Sequence, residues 1–443
     1  MTKQAQPTKP ADFLHTLIDT DTINRQARLS GFVQRVRQLQ PLLFVIHVIF
    51  SMPIAKISID GLRDSFIART GIRLNRTSWR ARFNEPLYKL LVWLLARLGR
   101  RAHQRRGQLH FKGPLKRFKD IVLVDSTFIQ VHDGLAKVFK GTRKAKAAIK
   151  VHTQIRALTG ELLSYYLTAG SAADCKSFGV GQKDKGCLFI FDKGYQSSSL
   201  WARVTRVGGS FITRLPASYR PIITRVNRTH RGRARGLRGK MLREELKRLQ
   251  RQVLDVQCSF RVHIRGYGGK RGRYEEVEFR VVGLWNVEED KYHLYVTNLP
   301  AKSFDAVLVG QGYRLRWEVE LFYRLGKSGL GLSQLKHYRH AVRVKILALC
   351  ALIRASVAMQ ACCEGRVSNR HVRLNMERWG RVWREQMSRW ALAVLGLGLH
   401  WACTWETLTY LARDPNPQRK PLAEQFLESF QGLGSSVRDV LRP

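Results

Sequence analysis

A chain of 443 residues has room for about two to four domains, and its 44% apolar content excludes a disordered polycation. The formal net charge of +45 is tolerable mainly beside a polyanion, so nucleic acid is the expected partner, ahead of an anionic membrane. Seven scattered cysteines without a C-x-x-C pair exclude a disulfide framework and the usual cysteine zinc site.

The first residues, MTKQAQPTKPADF, are polar and lack a signal-peptide core. DFLHTLIDTDTINRQARLSGF and TSWRARFNEPLYKLLVWLLARLG read as helices, the second capped by Thr77 or Ser78. Residues 100–119 are dense in Arg, Lys and His and read as a connector crossing a nucleic-acid backbone. Three apolar stretches, residues 42–52, 346–363 and 391–403, are short or broken by charge and read as buried helices rather than membrane spans.

The periodicity then changes. KDIVLVDSTFIQVHDG reads as a strand, and AAIKVHTQIRAL with ELLSYYLTAG as a hairpin turning at Thr159-Gly160. CLFIFDKGY is a buried strand, QSSSLWARVTRVGG a helix and SFITRLP another strand, an α/β order with mixed strand directions. Residues 217–290 interrupt it with the Arg/Gly-rich loop NRTHRGRARGLRGK, a short charged helix MLREELKRLQRQVLD and alternating strands around glycine turns. KYHLYVTNLP returns to a buried strand. After Leu335 the chain reads as helical to its end, with Trp379, Trp383 and Trp390 in a basic, aromatic stretch.

Chemistry concentrates at three places. Asp125 follows IVLV, and Asp192 follows CLFIF; a carboxylate where an apolar strand runs out sits on a rigid element and opens toward solvent. In QGYRLRWEVELFYRLGKSGLGL, Tyr313, Arg316, Glu320 and Lys327 are spaced three, four and seven apart, which places them within ~60° of one helix face. Leu315, Val319, Phe322 and Leu325 supply an apolar face. Three oxygen donors, with no Cys/His spacing for zinc, suit Mg²⁺ or Mn²⁺. Two such ions serve an in-line attack on a phosphodiester. Taken singly, each residue has a plainer reading: an aspartate after a strand caps a turn, Arg316 or Lys327 is a solvated helix face, and Tyr313 packs. Their joint spacing is what points to a site. Lys150 and His152 flank it or pack beneath it. Asp133 and Asp174 read as solvated or capping, with Asp133 the rival to Asp125.

These residues resemble the IS4 family of DDE transposases. LVDST around Asp125 is similar to the family's first-aspartate strand, and FDKGY around Asp192 to its D-[RK]-G-[YF] segment. Tyr313, Arg316, Glu320 and Lys327 match the Y-x2-R-x3-E-x6-K signature, and LYVTNLP, RW and KSGLGL around it are also similar; the likeness spans about residues 115–335.

The resemblance implies an α/β, RNase H-like catalytic core interrupted by a basic β-rich insertion and flanked by helical regions. The corresponding boundaries are 1–112, 113–216, 217–295, 296–365 and 366–443. It implies Asp125, Asp192 and Glu320 as catalytic, metal-binding residues, holding Mg²⁺, with Mn²⁺ able to substitute, as two ions. Arg316 and Lys327 then contact phosphates and Tyr313 positions the backbone. Trp317 matches a base-stacking position in hairpin-forming members, against a plainer reading as core beside Val319; Trp285 is a candidate second platform. The implied activity is cut-and-paste transposition on double-stranded DNA, at terminal inverted repeats and a target, by a homodimer. It needs no nucleotide cofactor or membrane and implies a cytoplasmic, nucleoid-associated protein. The alternatives are a domesticated RNase H-like nuclease or an inactive DNA-binding derivative. The terminal regions match nothing residue by residue; their DNA-end role is inferred from charge and position.

Overall fold

The computed structural model describes residues 9–35, 39–51, 58–104, 111, 113–228, 236–249, 253–264, 272–369, 372–394, 404–416, 418, 420 and 422–429. Six helices open the chain: α1 (Pro10–Leu17), α2 (Thr20–Leu29), α3 (Pro41–Ser51), α4 (Ile59–Thr70), α5 (Arg76–Ala81) and α6 (Glu85–Gln104). Both long helices read from sequence are each two. Between α1 and α2 the backbone turns out at Asp19, whose carboxylate accepts from the Thr22 N–H at 2.8 Å. Asn75, not Thr77 or Ser78, caps α5, accepting from the Ser78 N–H at 2.7 Å. A second break follows at residues 82–84, because Pro86 fits only a first turn and Asn84 accepts from the Leu87 N–H at 3.1 Å. The helix α3 is buried on every side.

Ten strands form one sheet among the described residues: β1 (Asp120–Gln130), β2 (Lys140–Thr142), β3 (Ala145–Arg156), β4 (Leu162–Ala169), β5 (Cys187–Phe191), β6 (Ser210–Arg214), β7 (Ile222–Val226), β8 (Leu254–Ile264), β9 (Arg273–Asn286) and β10 (Lys291–Thr297). Their order is β2-β3-β1-β5-β6-β10-β9-β8-β7, with β4 paired to β3. The hairpin β3–β4 turns through Gly160, whose φ of 70° suits glycine. β1 is antiparallel to β3 and parallel to β5, and β5 is parallel to β6. The remaining pairs, β6–β10, β10–β9, β9–β8 and β8–β7, are antiparallel. The β-rich stretch after residue 217 therefore continues the same sheet. Its charged helix is short, α9 (Leu242–Glu245), and half of the Arg/Gly-rich loop lies outside the described residues.

Successive β1 side chains go to opposite sides, as the strand period demands. Val122 and Val124 join a core with α8 (Ser198–Arg206) and its Trp201. Ile121 and Leu123 face the other core, built with α6, α10 (Ala306–Arg314), α11 (Trp317–Arg324), α12 (Ala341–Ser368) and α13 (Met376–Val394). The short helices α7 (Asp174–Ser177), α14 (Trp405–Leu411) and α15 (Leu422–Glu428) complete the described chain. Trp379 and Trp383 are buried in α13 and belong to this core. The stretch Ala341–Arg366 is long and apolar enough to cross a membrane, yet 94% of its most apolar window is buried inside the protein. Within it Arg354 donates to the carbonyls of Ile49 (2.5 Å) and Leu330 (3.0 Å), tying α3 to the chain after α11. The third apolar stretch lies mostly outside the described residues, as does much of the basic connector before β1.

Candidate active site

The site is made by a register. β5 pairs with β1 only as far as Phe191 opposite Val124, while β1 runs on to Gln130. Asp125 is thus not at the end of its own strand, as the sequence reading has it; what ends there is its parallel partner. Asp192 leaves β5 at that point, and its N–H donates to the Val124 carbonyl at 3.3 Å. Two carboxylates 67 positions apart in sequence thereby become neighbours at the open end of a strand pair. By strand parity Asp125 lies on the side of Leu123, toward α11. α11 delivers Glu320 and is held to β1 by Tyr323, whose hydroxyl donates to the Asp125 carbonyl at 2.9 Å.

The stripe read as one helix face is three segments. α10 stops at Arg314, Leu315 and Arg316 form a turn, α11 runs to Arg324, and a π-turn occupies Leu325–Gly329. Arg316 and Glu320 keep their i, i+4 contact, at 2.6 Å. Arg316 also reaches Asp192 through Nε at 3.5 Å and Asp125 through Nη1 at 3.8 Å. One guanidinium therefore stands among all three carboxylates. The side chains of Asp125, Asp192 and Glu320 are 12%, 31% and 33% exposed, so the centre opens to solvent along one side.

Charge explains the grouping. Burial pushes the Asp125 carboxyl up to about 7, and the neighbouring Asp192 charge adds to it; the Ser126 N–H and Arg316 pull the other way. Burial would lower Arg316, but Asp192, Tyr313 and Glu320 outweigh it and hold its guanidinium above the usual value. The three carboxylates, on β1, just after β5 and on α11, are oxygen donors of the kind that suits a hard divalent cation. Among the described residues no three His, Cys, Asp or Glu side chains close on a single point to hold an ion, with Arg316 lodged among these carboxylates.

The other expected residues fall around this centre. Tyr313 is half-buried against Tyr295, ring centroids 5.3 Å apart, with the Arg214 guanidinium 5.7 Å from its ring; burial and Asp192 raise its hydroxyl pKa. Trp317 is 42% exposed beside Arg316, so it is not core packing. Trp285 is buried edge-on to Tyr292, which removes it as a platform. Lys327 lies in the π-turn, its carbonyl accepting from the Ser333 hydroxyl at 2.9 Å. Asp133 is exposed in a 3₁₀ turn beyond β1, and it is Asp125 that meets Arg316.

Asp174 is the residue the sequence reading undervalued. It accepts from the Ser126 hydroxyl at 3.0 Å and pairs with Lys150 at 3.0 Å, with His152 Nδ1 at 3.6 Å. The His152 ring also meets the Tyr195 hydroxyl at 2.9 Å. A Cβ on Gly194 would sit 2.1 Å from Asp174 Oδ2, so the glycine of FDKGY is where the acid docks. Asp174 thus bolts the residue after Asp125 to the turn after Asp192. Local sequence carries little signal for it beyond a spare acid and that glycine.

Comparison with known proteins follows the same lines. Residues 116–355 match the family model described as "Transposase DDE domain". Curated relatives include the transposases for insertion sequence elements IS231B and IS231E of Bacillus thuringiensis, subspecies berliner and finitimus, at 22% and 23% identity. The matches cover 71% and 76% of this chain and 71% and 75% of the relatives. The solved structures include a cryo-EM piggyBac transposase synaptic complex with hairpin DNA, at 10% identity and a TM-score of 0.46, covering 92% of this chain and 86% of that one.

Proposed function

The chain belongs to the transposase DDE domain family, whose model spans more than half of it, and from that premise we propose that it is the transposase of an insertion sequence. It binds the element's terminal inverted repeats, cuts the DNA there and joins the freed end to a target. The observation that carries the reading is the convergence of Asp125, Asp192 and Glu320, from β1, the end of β5 and α11, on the Arg316 guanidinium. The strand order β4-β3-β1-β5-β6, antiparallel then parallel, supports an RNase H-like core. β7 to β10 are then the basic β-rich addition at one edge. Residues 1–112 and 366–443 are assigned to DNA-end recognition and dimerisation.

The three carboxylates would hold the divalent cations, Mg²⁺ or Mn²⁺, as two ions. When bound, they supply the charge that activates an attacking oxygen and stabilises the leaving one. The protein's own groups do the rest. Arg316 and Lys327 grip phosphates beside the scissile bond, and Tyr313 braces α10 under the same backbone. Water attacks first, breaking the P–O3′ bond to leave a 5′-phosphate and a 3′-hydroxyl; that hydroxyl then attacks a second phosphodiester, forming a new P–O bond and displacing that diester's 3′-oxygen, which takes up the proton; the protein forms no covalent link to DNA, so Tyr313 is not a nucleophile. Trp317, exposed at the start of α11, offers a face on which an unstacked base can rest.

The test is incubation of the protein with an end-labelled duplex carrying the inverted repeat that flanks its gene, with Mg²⁺. A nick at the repeat boundary followed by a hairpin or joined product is expected, abolished by EDTA. Tight binding of that duplex with no cleavage in Mg²⁺ or Mn²⁺ would contradict the reading and favour an inactive DNA-binding derivative.

A further inference from the structure

We propose that in the DNA-free protein Arg316 fills the acidic centre as a built-in cation, and that the centre accepts a divalent metal only after this guanidinium is drawn off onto a DNA phosphate. The inference rests on the metal-holding reading of Asp125, Asp192 and Glu320. Three nitrogens of one guanidinium are shared among three carboxylates on three different elements: Nη2 to Glu320, Nε to Asp192 and Nη1 to Asp125, at 2.6, 3.5 and 3.8 Å. Only the first is a hydrogen bond; the others are attractions across a gap. A hard divalent cation would need these carboxylate oxygens close around it, Mg²⁺ at about 2.0–2.1 Å, and a guanidinium lodged among them would stand in the way. Arg316 and the metal are therefore competitors for one charge hole.

The exit is built in. Arg316 is at the turn between α10 and α11, its side chain 19% exposed, and the next residue outward is the exposed Trp317. A phosphate oxygen pair matches the guanidinium fork as well as carboxylates do. DNA seated over α11 thus offers Arg316 an equal partner and frees the three acids. Linkage makes the effect reciprocal: DNA tightens metal binding, and metal tightens DNA binding by the same factor. A protein of charge +45 meets DNA over much of its surface, and on this account the centre stays unloaded until the duplex is seated over α11 itself.

The test is Mn²⁺ binding to the purified protein without DNA, read from the free-ion EPR signal. The comparison is between wild type, R316Q, R316K, D192N and the D192N/R316Q double variant, with circular dichroism to check folding. R316Q is expected to bind Mn²⁺ about tenfold more tightly than wild type, an ordinary coupling magnitude. R316K keeps the charge and should stay near wild type. The double variant should lose the gain. An R316Q affinity equal to or weaker than wild type overturns the plug, and if D192N is then weaker than wild type the metal centre stands without it. Tight binding by R316Q that D192N leaves untouched would instead overturn the assignment of the carboxylates.

Discussion

Asp125 and Asp192 owe their meeting to the β1–β5 register and their placement to Asp174, which touches neither. Asp174 fixes Ser126 on one side and fills the space over Gly194 on the other. Gly194→Ala should therefore drive Asp174 or the turn aside. Overpacking of this kind costs about 1–3 kcal/mol, and a misplacement of roughly 1 Å at the chemistry about 100-fold in rate. Urea unfolding and single-turnover cleavage read the two separately; a variant that cleaves at the wild-type rate would show that the contact positions nothing. Asp125, Asp192 and Glu320 were legible because each lies in a local pattern, an apolar strand or a helix spacing. Asp174 was not, because its partners are supplied by sheet register: Ser126 lies opposite His152 on β3, and no local period records that pairing. Trp285 misled for the mirror reason, since its burial against Tyr292 depends on the β9–β10 register.

At the scale of elements, the sequence spacing from Tyr313 to Lys327 was read as one straight helix. The protein breaks it after Arg314 and widens it into a π-turn at Leu325–Gly329, where the chain carries two glycines. The Arg316–Glu320 spacing survives because it spans only the start of α11; the seven-residue spacing to Lys327 crosses the wider turn. The apolar helix α3 was read correctly as buried, but its one ionisable group sets a pH limit. His47 contacts the Leu62 carbonyl at 2.9 Å and the Ser51 hydroxyl at 3.2 Å; burial chiefly, with Arg69, holds its pKa down at about 4. The unfolded chain binds this proton near 6.5. His47 thus contributes its full stability above that pH and loses it as the pH falls toward 4, by roughly 3 kcal/mol. Burial likewise lowers His152 to about 4, in the same direction. The urea midpoint should drop between pH 7 and pH 5, and less steeply in His47→Gln. An unchanged slope in that variant would remove His47 from the account.

For the whole molecule, composition spoke clearly and boundaries did not. The charge of +45 predicts binding by counterion release: with 6–10 phosphate contacts, affinity for duplex DNA should fall about 10³–10⁵-fold between 50 and 200 mM salt. Titration by fluorescence anisotropy checks it, and a flat salt response would detach the charge from DNA binding. The α/β class and the mixed strand directions were legible in the change from helical to strand periodicity near residue 120. That the basic β-rich stretch joins the core sheet through the β6–β10 pairing was not, since a strand's partner on an edge is chosen by non-local pairing. The central claim is that three carboxylates on β1, after β5 and on α11 perform the chemistry while other surfaces bind the DNA. Its direct test is single-turnover cleavage of the end-labelled inverted repeat by Asp125→Ala, Asp192→Ala and Glu320→Ala, with end binding measured on the same preparations. The account predicts about 10²–10³-fold or greater loss of cleavage in each, with end binding, measured in EDTA, within a few-fold of wild type, the scale of loss expected when transition-state charge stabilisation is removed. Cleavage at the wild-type rate by any of the three would contradict it.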